Sequence, residues 1–224
     1  MRPGPARPEV LVPLPVVSFE ALYAVVVVAI GVVPLLPQLT RLARTGDAAG
    51  LSLPALLAGL VNYVAWTWYL APTEATGLLV GNVLAGLVWV AVTALAVRSL
   101  AWSASCLVPA VWALVLLGVV ALAPGLLGSL LGVGSLLVFV PQAVGAWRVP
   151  SLSGVSATSW WLLLAQGLVW FGESLPGLLV GGLVFGVVCV TASLSVLCAL
   201  SVRGPRLAAA AVAASGAPDA VLAA

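Results

Sequence analysis

Asn62 and Trp66 stand four residues apart, and so do Gln166 and Trp170. On a helix that spacing puts an amide and an indole on one face. The pairing suits a small polar neutral solute: the apolar face of a sugar ring lies on the indole while its hydroxyls meet the amide. Each residue type also has a plainer use. Tryptophan near the end of a membrane span belongs to the interfacial belt, and a buried amide can simply tie helices together. Trp68, Tyr69, Trp102 and Trp147 are assigned to that belt. Asn82, with Gly81 and Gly86 nearby to permit close helix approach, is a further polar group whose exposure to lipid would be costly, so it is expected to face the interior.

A second constellation is Pro37-Gln38, repeated as Pro141-Gln142. Proline within a helix removes one backbone hydrogen bond and clashes with the carbonyl four residues back, which makes a kink or a hinge. The glutamine amide can satisfy the carbonyl so freed or bond across helices. One copy alone reads equally well as a helix stop. Two copies in equivalent places point to gating hinges.

Other chemistries lack their residues. The chain has no His, and Cys106, Cys189 and Cys198 have no CxxC partner and lie in apolar runs, so no metal or other cofactor is expected. No Ser/His/Asp set, paired carboxylates or phosphate-cradling loop suggests an enzyme. Glu20, Glu74 and Glu173 fall at span ends or in loops, so the mid-span carboxylates of proton-coupled carriers are absent too. Passage without ion coupling is the simpler expectation. A net charge of +2 with scattered arginines excludes a nucleic-acid surface.

The elements that must position these residues are membrane helices. Of 224 residues, 63% are hydrophobic and 6% charged, with a mean hydropathy of +1.27; soluble domains carry roughly a quarter charged residues. A bilayer core takes about 20 apolar residues per helix. Cutting the chain at its charges and at Ala123-Pro124-Gly125 predicts seven spans, at 19–37, 52–71, 77–97, 105–123, 126–143, 156–174 and 177–200. Continuous apolar runs, without period-two alternation, favour helices over a barrel. Arg41, Arg44, Arg98, Arg148, Arg203 and Arg206 then fall on one side, against Arg2 and Arg7 on the other. The positive-inside tendency puts the N-terminus outside and the C-terminus in the cytoplasm. Composition suggests a bacterial inner membrane. Residues 1–18 read as a flexible lead without a cleavage site, and 203–224 as a mobile cytoplasmic tail.

The chain also repeats itself. At an offset of 104, Pro37-Gln38 meets Pro141-Gln142, Arg44 meets Arg148, Gly50 meets Gly154, Ser52 meets Ser156, Asn62 meets Gln166 and Trp66 meets Trp170. Gly77-Leu-Leu-Val-Gly81 then matches residues 177–181 at an offset of 100, and Gly182 replaces Asn82. Each copy holds three spans: residues 19–97 form the first repeat and 126–202 the second. The odd linker span within 98–125 gives both triplets one orientation. The expected fold is an all-α integral membrane protein in a 3-1-3 arrangement of two parallel three-helix bundles, a known transporter plan.

Two Pro-Gln pairs, each followed by a short basic loop, Gly-x-Ser and a downstream Trp, resemble the PQ-loop superfamily. The 3-1-3 order is most similar to its SWEET sugar-transporter branch, over roughly residues 19–202. The resemblance implies alternating access by swinging of the Pro-Gln helices. It also implies a central site of Asn on the third span and Trp on the second span of each bundle, here Asn82, Trp66 and Trp170. A proline early in each second span is also expected; Pro54 fits, but Thr158 and Gly182 depart from the pattern.

The function so implied is facilitated, uncoupled diffusion of mono- or disaccharides. The substrate-binding set is Trp66, Asn82, Asn62, Trp170 and Gln166, and the gating set is Pro37, Gln38, Pro141 and Gln142. Amino acids or other small metabolites are the alternative cargo, and a non-transporting receptor or scaffold the alternative class. The partners are the lipid bilayer and a small polar solute, sugar first. Pairing with a second copy is left open.

Overall fold

The computed structural model describes residues 19–72, 76–175 and 180–215. The lead at 1–18 and the loop position Glu74 lie outside the described residues. Within them the chain is helical, with no strand. In chain order the helices are α1 (Phe19–Val32), α2 (Leu36–Thr45), α3 (Leu53–Leu70), α4 (Thr76–Ala96), α5 (Leu107–Leu122), α6 (Leu127–Arg148), α7 (Ala157–Ser174) and α8 (Val180–Ser215).

Five stretches of these are long and apolar enough to cross a membrane: Leu53–Leu70, Thr76–Ala96, Ala104–Leu122, Pro124–Arg148 and Val180–Leu207. Seven were expected, and the two shortfalls have physical causes. A 3-10 turn at Val33–Leu35 interrupts the first expected span, leaving a 14-residue helix before it and the 10-residue α2, which runs on to Thr45, after it. Helix α7 is apolar but diluted by Thr158, Ser159, Gln166, Glu173 and Ser174.

Two helices outrun their expected ends. Helix α6 passes through Pro141 and continues to Arg148. Helix α8 continues through Pro205 to Ser215, so the first part of the stretch read as a mobile tail is helix. Arg203 donates to the carbonyls of Ala146 and, at 2.8 Å, Val149. It thereby satisfies acceptors that the end of α6 leaves open. The Ala-rich run beyond it has high helix propensity.

The packing order is the same in both halves. Helix α4 lies against both α1 and α3, and α8 against both α6 and α7. The third helix of each sequence repeat is thus the middle one in space. The halves meet where α3 packs on α6 and where the Val33–Leu35 turn packs on α7, while α5 rests on α3 and α6. The main apolar core runs through α6, α7 and α8, with Val138, Phe139, Leu163, Cys189 and Val196 buried. A smaller one joins Leu42, Leu56, Val92 and Ala96.

Candidate functional site

The matched serines explain themselves first. Ser52 and Ser156 cap α3 and α7: their hydroxyls accept from the Ala55 and Ser159 amides at 3.4 and 3.3 Å. An N-cap side chain satisfies one of the first-turn amides that have no intrahelical acceptor. The matched glycines differ in backbone conformation. Gly50 has φ +88°, a left-handed conformation that glycine adopts without steric cost. Both give clearance: a Cβ at Gly50 would come within 2.9 Å of Val155, and one at Gly154 within 2.6 Å of the Ala49 backbone. The two loops therefore touch, and the Gly154 amide donates to the Ala49 carbonyl at 3.1 Å.

Gln38 holds this junction. Its Nε2 donates to the Gly154 carbonyl at 2.8 Å, and its Oε1 accepts from the Ser156 amide at 2.9 Å. The side chain is 9% exposed, so these bonds form where unpaired polar atoms are costly. Around it, Arg41 donates to the Ser153 carbonyl. The Ser153 hydroxyl donates to Asp47 Oδ2 at 2.5 Å, and Asp47 Oδ1 accepts from the Ala49 amide at 2.8 Å. Those two bonds, with the nearby Arg41 charge, hold the Asp47 carboxyl below its ordinary range against a smaller opposing effect of burial. Gln142 is 8% exposed, yet among the described residues it makes no matching bonds to Gly50 and Ser52. One Pro-Gln copy is a clasp between the halves; the other is not.

The prolines also differ. The break before Pro37 is centred on Pro34, which is buried in the 3-10 turn. Pro37 sits in the first turn of α2, where its missing N–H costs little. Pro141 lies within a continuous α6.

The expected solute residues fall into separate places. Asn62 is buried, and its Oδ1 accepts from Trp112 Nε1 on α5 at 2.9 Å. The amide lies directly over Gly134 of α6, where a Cβ would come within 2.6 Å of it. Trp66, half-buried on the same α3 face, packs against Leu116, Leu127 and Leu131 and stands edge-on to Tyr69 at 5.6 Å. Trp170 instead meets Phe185 at 5.8 Å, which joins it to Phe139 and Trp160. Gln166 is half-buried one turn before it. Asn82 turns toward α3: its Nδ2 donates to the Tyr63 carbonyl at 2.9 Å and to Thr67 Oγ1 at 2.8 Å. Interhelical bonds of this kind contribute about 0.6 kcal/mol each in a bilayer. Asn62 and Asn82 thus tie helices, and the two tryptophans lie in different clusters. The belt residues Trp68, Tyr69, Trp102 and Trp147 are all exposed, and Trp147 also donates to Ser195 Oγ at 3.0 Å.

Sequence reasoning missed Pro34, Arg41, Asp47 and Ser153 as participants. The signal was present in part. Asp47 is the one carboxylate in the loop that the 104-residue register sets opposite Ser151-Leu-Ser153.

No family model, curated protein or solved structure matches this chain.

Proposed function

We propose that the protein is a membrane transporter of seven spans in a 3-1-3 arrangement. It passes a small polar solute, a mono- or disaccharide first, by uncoupled alternating access between two parallel three-helix bundles. The observation that carries this reading is the Gln38 clasp across a repeated packing order. A polar, breakable contact joins the halves at one end of the helices, beside a helix broken at Pro34. Non-specific scaffolds have no need of such a junction. On this proposal the clasped end is cytoplasmic, the N-terminus faces outside, and the membrane is a bacterial inner membrane.

Amino acids or other small metabolites are the second reading. The commitment of Asn82 to α3 favours it, since that amide is occupied by helix contacts rather than left for sugar hydroxyls.

Counterflow in proteoliposomes against labelled sugars and amino acids tests both. Saturable sugar exchange, lowered roughly tenfold by Trp66→Ala, as expected for the loss of about 1.4 kcal/mol of solute contact, supports the first. Exchange of amino acids alone supports the second, and silence throughout rejects transport. Within the active panel, Gln38→Ala should change turnover while Gln142→Ala changes it less. Equal effects would remove the clasp from the mechanism.

A further inference from the structure

Beside the clasp, an open cleft of about 530 Å³ lies between α2 and the start of α7, lined by Pro37, Thr40, Arg41, Arg44, Ser156 and Thr158 among others. Among the described residues no carboxylate lines it. We propose that this cleft binds a phosphate-bearing anion, either the headgroup of an anionic phospholipid or a free phosphoanion.

Three groups of donors converge there. Arg41 Nε is buried and has no acceptor, although the same guanidinium donates to the Ser153 carbonyl. Arg44, one turn away, is exposed and lines the same cleft. Guanidinium groups match phosphate oxygens in charge and in fork geometry. The third group is the α7 N-terminus. The Ser156 hydroxyl serves the Ser159 amide, so the Ala157 and Thr158 amides are left without intrahelical acceptors. A helix start with free amides favours an anion, and the Thr158 hydroxyl adds a donor that proline at this position would lack.

The nearest negative charge does not fill the site. Asp47 lies close to Arg41, but one oxygen accepts from Ser153 and the other from the Ala49 amide. Thr40 and Thr45 donate their hydroxyls to the carbonyls of Leu36 and Arg41, so the arginines and the α7 start carry the recognition. Basic pockets between membrane helices hold anionic headgroups in this way. An anion here contacts both halves of the chain and strengthens their junction.

The test uses the intact protein in detergent, with its thermal midpoint followed during titration. The added probes are phosphatidylglycerol, phosphatidylcholine and inorganic phosphate, each separately. A saturable rise with phosphatidylglycerol but not with phosphatidylcholine supports the site with a lipid source. A saturable rise with inorganic phosphate supports it with a soluble source. Arg44→Gln should weaken the response about fivefold, and Thr158→Val should weaken it in the same direction. Arg98→Gln, at the arginine-rich end but outside the cleft, should leave it unchanged. No response to any anion, or equal weakening by Arg98→Gln and Arg44→Gln, would overturn the proposal.

Discussion

In the first half of the molecule the seam between α3 and α4 is filled by Trp89, whose indole lies over Gly59 and donates to the Leu56 carbonyl at 2.7 Å. In the second half the matching positions hold Cys189, Leu163 and Trp160. There the thiol donates to the Leu163 carbonyl at 3.1 Å, and the bulk has moved to α7. A second exchange follows the same logic. Asn82 bonds to Thr67 and the Tyr63 carbonyl, whereas Gly182, Phe171 and Gly167 replace all three. The Ser174 hydroxyl occupies the space over Gly182, and Gly186 lies against the Phe171 backbone. The first seam is held by an indole and an amide that both hydrogen-bond across it; the second combines a single thiol hydrogen bond with a close approach of small residues. The same packing order in the two halves therefore rests on different interactions, and substitutions at matched positions should have unequal effects.

The largest inequality is expected at the exchanged ring. Trp89→Ala leaves a void above Gly59 and should cost about 3 kcal/mol, against about 1 kcal/mol for Cys189→Ala. Reversible unfolding in mixed detergent measures both. Similar costs would break the comparison.

The next concerns backbone clearance. A methyl at Gly132 of α6 would run into the Gly181 carbonyl of α8, whereas at Gly31 of α1 the nearest atom is the Gly81 carbonyl at 3.7 Å. Small residues that let membrane helices approach tolerate no added bulk. Gly132→Ala should therefore cost about 1–3 kcal/mol, and Gly31→Ala should stay within about 0.5 kcal/mol. The same unfolding assay decides.

The smallest effect sharpens the asymmetry of the clasp. The carboxyl of Asp47 is depressed in the folded state below its ordinary 3.8. Its tie to Ser153 is thus fully present above that value and is lost as pH falls through the lower folded one. Wild type should exceed Asp47→Asn in stability by less than about 1 kcal/mol at neutral pH. The gap should close on acidification below about pH 4. A constant gap would mean that the carboxylate charge contributes nothing.

Much of this was legible in the amino-acid order. Charges and Pro-Gly cuts located the helices, and the repeat register paired Ser52 with Ser156 before either was seen to cap a helix. What escaped was non-local. Gln38 reaches partners 116 and 118 residues away, and its local sequence does not name them. Pro37 drew attention from Pro34 because only Pro37 is duplicated; the first copy breaks because it carries two prolines three residues apart. The length of α8 was hidden by Arg203-Gly-Pro-Arg206, which reads as a stop until Arg203 is seen folded back on α6. Of the expected solute residues, Trp66 and Trp170 pack in different clusters, one with Leu116, Leu127 and Leu131 and the other with Phe185. Spacing along one helix gives no information about which neighbour that helix selects.

The pair of bonds from Arg203 to the last turn of α6 has a mechanical consequence. They strap the far end of α6 to α8, so flexing at Pro141 would have to stretch both of them. Bending within α6 is thereby opposed by α8, whereas the Val33–Leu35 break in the first half is held by packing against α7.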